Sequence, residues 1–223
     1  SSDLPHPQIE FHVVACLLQR RHVGQRRRAL GAEAGKRTRS RSCIRALSAE
    51  MSRLGFDPVT ETFQVMPSMA APRNYHSVAL LLPDGRVMSG GGGLCGGCDS
   101  NHPNVQILSP HYLYNADGSP ATRPELLSAP AEATHGTSVS VTTDSEVRSF
   151  ALVRLSSATH TVNNDQRRIP LSFTRSDSGS YVLDIPSNPG VVLPGHYMLF
   201  AMNAKGVPSV SRTLRISGDS APR

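Results

Sequence analysis

The sequence predicts an all-β protein whose C-terminal part is an immunoglobulin-like sandwich, and two observations lead to this prediction. Beyond residue 136, short runs of β-branched, aromatic and aliphatic residues recur roughly every dozen residues, separated by Gly, Pro, Asn or Asp. No stretch repeats its apolar residues at helical spacing. The chain also has no Trp, which favours a sandwich of a non-antibody type. The strands are predicted at residues 138–141, 147–155, 169–174, 181–185, 196–202 and 209–216.

Charge separates the first fifty residues from the rest of the chain. Residues 1–50 hold 10 Lys and Arg against 4 Asp and Glu, whereas residues 51–223 hold 13 against 13. The whole-chain net charge of +6 therefore belongs to the leading segment. No nucleic-acid partner is predicted for the downstream part, because nucleic-acid binding depends on concentrated positive charge.

Residues 1–54 are interpreted as a basic, disordered segment, or as a stretch that is not native to the parent domain. Their basic runs, R-R-H-V-G-Q-R-R-R and G-K-R-T-R-S-R-S, contain too few apolar residues to offset the entropy of ordering. A nuclear address or a phosphate-binding arm is the alternative interpretation. The apolar run at residues 11–18 is too short for a bilayer, which takes about 20 residues. It also precedes its basic cluster, the reverse of a secretory signal, so neither a membrane partner nor a signal peptide is predicted.

A predicted hairpin follows two possible metal ligands. Two strands are expected at residues 78–82 and 86–89, because Pro83-Asp84-Gly85 between them suits a tight turn. Tyr75 and His76 stand just before the first strand, and a phenol and an imidazole can both bind a transition metal. Adjacent residues of a regular strand point to opposite faces. A metal shared by these two residues therefore requires them at the entry to the strand.

Cys95 and Cys98 form a C-x-x-C pair after the hairpin. Such a pair can be half of a zinc site, a redox pair or a local disulfide. Zinc would need a second pair, and Cys16 and Cys43 lie in the basic segment without suitable spacing. A redox role would need a following helix to lower a thiol pKa. A structural disulfide in an oxidising compartment is the favoured interpretation.

The remaining candidate ligand lies in the predicted sandwich. Residues 109–135 are rich in turn formers and are predicted to be a connector. Beyond them, the loop at residues 158–168 is dense in polar side chains, and functional residues concentrate in loops that a rigid scaffold holds. His160 lies in this loop, although a lone loop histidine is most often simply solvated.

The segment upstream of the sandwich resembles the seam between two kelch repeats of a β-propeller. A turn at residues 56–60 and a strand at 62–66 precede the hairpin, and residues 104–108 are predicted to be the third strand of the hairpin's blade. A kelch repeat of about 50 residues forms one four-stranded blade, and stacked repeats need neighbours. The resemblance therefore implies further blades on the N-terminal side. The predicted divisions are a basic segment, a partial blade with connector, a sandwich and a tail, at residues 1–54, 55–122, 123–217 and 218–223.

Five motifs in one order resemble the C-terminal part of the galactose oxidase and glyoxal oxidase group of copper radical oxidases. The match covers about residues 55–217. The motifs are R-N-Y-H-S-V-A-L-L-L-P-D-G-R-V, G-G-G-G-L-C-G-G-C, Y-L-Y-N-A-D-G, A-T-H-T-V-N-N-D-Q-R-R-I-P-L and P-G-H-Y-M-L-F-A-M-N-A-K-G-V-P-S.

This resemblance implies a role for each candidate residue. In the family, copper lies on the axis of a seven-bladed kelch propeller, and one loop of a C-terminal immunoglobulin-like domain supplies the final histidine. Tyr75 is then similar to the axial tyrosine, His76 to the first histidine ligand and His160 to the second. Cys95 and Cys98 are similar to the family's local disulfide. Two neutral imidazoles suit Cu(II), and an axial phenolate can accept the substrate hydroxyl proton as a general base.

The implied activity of the complete protein is that of a copper-dependent oxidase. A primary alcohol, a sugar or a small aldehyde would react with O2 to give an aldehyde or acid and H2O2. The family's radical lies on a tyrosine cross-linked to a cysteine, and no residue of this sequence has that context, so this Cys-Tyr radical cofactor is expected to be absent. Catalysis by this chain alone is not expected, and Cu(II) binding is expected to be weak or absent without the missing propeller blades.

The resemblance and the C-x-x-C pair together imply a secreted, extracellular protein. The alternative to the enzyme hypothesis is a non-catalytic module, in which the sandwich binds a carbohydrate or a protein. Further kelch repeats upstream, with a Cys and a Tyr in the family's contexts, would favour the enzyme.

Overall fold

The computed structural model describes residues 54–57, 62–65, 69–71, 73, 76–92, 102–155, 157–159 and 162–218. Within these ranges the secondary structure consists of β-strands and one 3-10 turn at His111–Leu113, so the all-β prediction is confirmed. None of the helical structure in the described ranges has the length and apolarity needed to cross a membrane. The predicted disorder of the basic segment concerns residues outside these ranges. The chain forms two compact units.

The first unit holds described residues from 54–79 and 89–106, together with residue 162. Its first ladder is antiparallel and joins β1 (Leu54–Asp57) to β2 (Thr62–Val65). The sequence analysis placed residues 56–60 in a turn, but Phe56 lies opposite Phe63 in this ladder. Residues 56 and 57 therefore belong to β1, and the predicted turn does not begin at residue 56.

The predicted hairpin and its third strand are confirmed. β3 (Ser77–Leu81), β4 (Val87–Gly91) and β5 (Val105–Leu108) form one sheet with β4 in the centre. The turn closes through the Gly85 amide, which donates to the Leu82 carbonyl over 2.9 Å, and the Leu82 amide, which donates to the Arg86 carbonyl over 2.8 Å. Gly85 adopts φ +79, which a residue without Cβ adopts at little cost.

The second unit contains the hairpin tip, residues 80–88, together with residues 107–159 and the chain from 163 onward. The tip is hydrogen-bonded within this unit. The Tyr112 hydroxyl donates to the Gly85 carbonyl over 2.5 Å, and the Ser211 amide donates to the Pro83 carbonyl over 2.9 Å. Burial raises the pKa of Tyr112 well above its ordinary value, so the phenol stays protonated and remains a donor.

Most of the second unit is a β-sandwich whose two sheets share one long strand, β12 (Arg168–Asp177). Residues 168–171 of β12 pair with β9, and residues 172–177 pair with β13. The sheet order is therefore β6-β8-β13-β12-β9-β14-β15-β7. The neighbours are antiparallel except β15 and β7, which are parallel. The strands are β6 (Leu126–Ser128), β7 (Glu132–Thr134), β8 (Ser138–Thr143), β9 (Ser149–Arg154), β13 (Ser180–Asp184), β14 (Gly195–Met202) and β15 (Arg212–Ser217).

All six strands predicted for the sandwich are present, with shifted ends. The two short edge strands β6 and β7 lie in the stretch interpreted as a connector, and their three-residue length leaves no visible alternation in the sequence. A further two-stranded ladder joins β10 (Ser157–Thr159) to β11 (Val162–Asn164).

The core of the sandwich lies between its two sheets and is organised around three aromatic rings. Phe150, Phe173 and Tyr181 meet edge to face, with ring centroids 5.1 to 5.7 Å apart. The Tyr181 hydroxyl accepts a hydrogen bond from the buried Val147 amide over 2.9 Å, which gives the amide a partner away from water. These rings fill a core that contains no Trp.

Candidate metal centre

The turn that carries His76 leads directly into β3. His76 has φ +57, a left-handed conformation uncommon for residues with a side chain, and it is half-buried. Gly91, at the end of β4, lies against it so closely that a Cβ there would be 2.4 Å from the His76 carbonyl oxygen. Gly91 itself has φ +77. Only glycine fits at this position, and its close approach holds the His76 turn in place.

Arg73 lies three residues before His76 and is hydrogen-bonded to two separate parts of the first unit. Its residue surface is 2% exposed. Nη1 donates to the carbonyls of Gly91, His102 and Asn104 over 2.8, 3.3 and 2.9 Å, and Nη2 donates to Asn104 Oδ1 over 2.7 Å. Burial lowers the pKa of the guanidinium, but an arginine remains charged at neutral pH.

The described residues on either side of the C-x-x-C segment are joined by hydrogen bonds. The His102 amide donates to the Gly92 carbonyl over 3.0 Å, and the Arg73 guanidinium binds carbonyls on both sides of the segment, at Gly91 and Asn104. The two ends of this segment are therefore held together by hydrogen bonds that do not involve a cysteine.

A second group of hydrogen bonds and ion pairs lies in the sandwich, directly after β11. Asp165 has φ +73, and its carboxylate bridges Arg154 Nη1 and, over 3.6 Å, Arg167 Nη2. Each arginine also donates to a main-chain carbonyl: Arg154 to Pro194 over 2.9 Å and Arg167 to Gly190 over 3.2 Å. The Arg154 amide donates to the Arg167 carbonyl over 3.1 Å. The base of the β10–β11 hairpin is thus anchored on both sides.

Of the predicted site residues, His76 lies within the described ranges, and Tyr75, Cys95, Cys98 and His160 lie outside them. Among the side chains that the structure describes, no group of three or more His, Cys, Asp or Glu could hold a metal ion. The ligand set of Tyr75, His76 and His160 therefore stays a prediction.

Two residues that organise these hydrogen bonds, Arg73 and Asp165, were not predicted from the sequence. Arg73 and Asp165 both lie inside the motifs of the resemblance, but no role was assigned to either. Arg73 was missed because its acceptors lie 18 to 31 residues further along the chain. The one available signal was the position of each charge beside a candidate ligand segment.

The donor set itself is suited to copper. One phenol and two imidazoles are the ligand types that Cu(II) accepts in proteins. Gly91 packs against the turn of His76, and His76 is half-buried. The neighbouring Arg73 has no lone pair to offer a metal, so it can support the turn without competing as a ligand.

Comparison with known proteins identifies the second unit. Residues 123–216 match the family model of the galactose oxidase-like early set domain. This chain carries a galactose oxidase-like early set domain. The resemblance predicted from the sequence is thereby confirmed, and the early set domain coincides with the observed sandwich.

The matches to individual relatives cover more of this chain than the early set domain does. A galactose oxidase of Gibberella zeae is 48% identical over 161 residues, which are 72% of this chain and 24% of the relative. An aldehyde oxidase of Vitis pseudoreticulata is 30% identical over 183 residues, covering 71% of this chain and 33% of the relative. A fungal alcohol oxidase of the AA5 family, solved in complex with copper, superposes with a TM-score of 0.72 and 43% identity. That match covers 75% of this chain and 36% of the solved one.

The chain therefore spans about a quarter of the curated galactose oxidase and about a third of the solved alcohol oxidase. These relatives are oxidases that act, by their names, on galactose, aldehydes and alcohols.

Proposed function

We propose that this chain supplies Tyr75, His76 and His160 as copper ligands of an oxidase. The oxidase converts a primary alcohol or a sugar with O2 to an aldehyde and H2O2, or a small aldehyde with O2 and water to an acid and H2O2. The observation that carries the proposal is the likeness to an alcohol oxidase solved in complex with copper, at 43% identity. The constrained, half-buried turn of His76 supports it, because a metal ligand must be held in a fixed orientation.

The proposed roles follow from the chemistry of the side chains. Copper, when bound, would accept an electron and polarise the substrate oxygen. His76 and His160 would bind it through neutral imidazole nitrogens. The Tyr75 phenolate would take the proton of the substrate hydroxyl, which makes it a general base positioned at the metal. The hydrogen bonds of Arg73 would keep the segment that carries the first two ligands in place.

The radical is proposed to come from elsewhere. In the group that the sequence resembles, it lies on a tyrosine cross-linked to a cysteine, and no residue of this sequence has the matching context. The 223-residue chain by itself is therefore expected to bind Cu(II) weakly and to release no peroxide. Cys95 and Cys98 are proposed to be disulfide-bonded in a secreted protein, which intact-mass measurement after thiol alkylation, with and without prior reduction, would decide.

Titration with Cu(II) tests the ligand assignment. The chain and the variants His76→Ala and His160→Ala would be compared by calorimetry and by electron paramagnetic resonance. Each substitution is expected to lower the affinity by about 100-fold or more, since even supporting residues around a metal cost 10–100-fold. The matched control is His196→Ala, which removes an exposed imidazole from β14 and should leave the affinity unchanged.

Two results would overturn parts of the proposal. Copper binding that neither histidine substitution weakens would disprove the ligand set and favour a non-catalytic module that binds a carbohydrate or a protein. Peroxide release from the isolated chain with galactose or a small aldehyde would disprove the claim that the radical must be supplied from elsewhere.

A further inference from the structure

Arg73 brings a full positive charge into the first unit, with 2% of the residue exposed. A buried charge is costly unless its hydrogen bonds are satisfied. The guanidinium donates to carbonyl oxygens at the end of β4 and in the segment that leads into β5. The guanidinium thus joins two stretches of main chain that are separate in sequence, an organising role for which its rigid fork of donors is suited.

Gly91 connects this guanidinium to the turn of His76. Its carbonyl accepts the 2.8 Å hydrogen bond from Arg73 Nη1, and its Cα lies against the carbonyl of His76 with no room for a Cβ. Any movement of Gly91 therefore moves the surface on which the His76 turn rests. Arg73 therefore acts on the His76 turn through Gly91.

We infer that Arg73 is a positioning residue for His76: by fixing Gly91 and the start of β5, it sets the orientation of the imidazole toward the metal. The expected change in Cu(II) binding rests on the proposed function, in which His76 is a copper ligand. The expected change in the stability of the His76 turn does not. A lysine cannot replace Arg73, because an ammonium is a single point charge that cannot reach acceptors on both stretches at once.

The first experiment compares Arg73→Lys with a matched control in the 223-residue chain. Arg123 is a suitable control, because its half-buried guanidinium also binds main-chain carbonyls, those of Pro208 and Ser209, over 2.8 and 2.7 Å. Arg73→Lys is expected to lower Cu(II) affinity by about 10–100-fold, the range seen when a residue that orients a ligand is lost. It should also change the Cu(II) paramagnetic resonance spectrum. Arg123→Lys should alter thermal stability alone.

A milder pair of variants covers the possibility that Arg73→Lys does not fold. Asn104→Leu removes one acceptor of the guanidinium, whereas Asn104→Asp keeps an acceptor and adds charge to it. The inference predicts weakened Cu(II) binding and an altered spectrum for Asn104→Leu, with both restored in Asn104→Asp. Equal effects of the two substitutions, or a spectrum unchanged in Arg73→Lys, would overturn it.

A metal-free measurement separates this inference from the ligand assignment. Hydrogen exchange at residues 76 and 77 should accelerate about 10-fold or more in Arg73→Lys and remain unchanged in Arg123→Lys, because the turn loses its support whether or not copper binds. If the parent chain binds copper too weakly to titrate, as expected without the other propeller blades, hydrogen exchange alone still decides the positioning role. If copper binds through His76 but Arg73→Lys changes neither exchange nor spectrum, the inference alone fails.

Discussion

The turn of His76 and the β10–β11 hairpin are both anchored by arginines, but the two anchors differ in burial. Arg73 is buried and donates to neutral carbonyls, whereas Arg154 and Arg167 are partly exposed and share the carboxylate of Asp165. Direct hydrogen bonds in a buried site are little affected by ions in solution, while exposed ion pairs are screened by salt.

This difference in burial indicates that Arg73 determines the path of the main chain around it, whereas Asp165 adds modest stability. A guanidinium that holds several carbonyls determines the path of the main chain around it, because each acceptor has a preferred direction. An exposed carboxylate between two arginines contributes less, since water competes for every partner. We therefore expect substitutions around Arg73 to be more damaging than substitutions around Asp165.

The largest effect is expected for Gly91→Ala. The new Cβ would lie 2.4 Å from the His76 carbonyl, and φ +77 is unfavourable for alanine. Strain of this kind costs about 1–3 kcal/mol before the steric clash is counted, so the free energy of unfolding should fall by about 3 kcal/mol or more. Chemical denaturation measures this fall in unfolding free energy. Hydrogen exchange should show a matching loss of protection in the β3–β4 hairpin.

Gly118→Ala is the control for this prediction. Gly118 has φ +83, close to that of Gly91, but nothing lies within 4 Å of a Cβ placed there. Its substitution should cost only the conformational term, about 1–2 kcal/mol. Equal losses for the two alanine variants would contradict the claim that Gly91 is required by its contact with His76.

A smaller effect is expected for Asp165→Asn. Asparagine tolerates the left-handed backbone of this position, so the substitution isolates the contribution of the charge. Because the Asp165 side chain is 34% exposed, its ion pairs are partly screened, and the expected loss is about 0.5–1 kcal/mol at low ionic strength. Glu132→Gln, which removes the more exposed ion pair to Arg215, is the matched control and should cost less.

Salt decides whether the contribution of Asp165 is electrostatic. At 1 M salt the screening length falls to about 3 Å, and the difference between the parent and Asp165→Asn should shrink toward zero. The cost of Gly91→Ala should remain. A loss in Asp165→Asn that persists at high salt would show that this carboxylate acts through hydrogen-bond geometry, as Arg73 does.

The smallest expected effect is on the unfolding free energy at acidic pH. The Glu125 amide, which donates to Asp144 over 2.7 Å, and then the Ser145 hydroxyl lower the pKa of Asp144 below its ordinary value. Its folded pKa therefore lies below its unfolded one, and the stability it adds is complete above the unfolded value and lost as the pH falls through the folded value. Asp144→Asn should flatten the decline in unfolding free energy between about pH 5 and pH 2. An unchanged slope would contradict this role.

Much of the architecture follows from local pattern. The strands of the sandwich could be predicted because each is bounded by turn-forming residues. The β3–β4 hairpin could be predicted because Pro83, Asp84 and Gly85 suit one kind of turn. The metal hypothesis likewise came from Tyr75 and His76, whose chemistry is visible in the sequence. Edge strands of three residues, such as β6 and β7, were missed because so short a segment shows no period.

The sequence by itself therefore determined the all-β class, the hairpin, the positions of six sandwich strands along the chain and the types of donor available to a metal. Only the tertiary structure decided that Arg73 is buried, that Gly91 rests against His76 and that Asp165 joins two arginines. These features depend on carbonyls and side chains that come together from distant parts of the chain. A charged residue in a sequence has the same appearance whether water or a set of main-chain carbonyls will surround it in the folded protein.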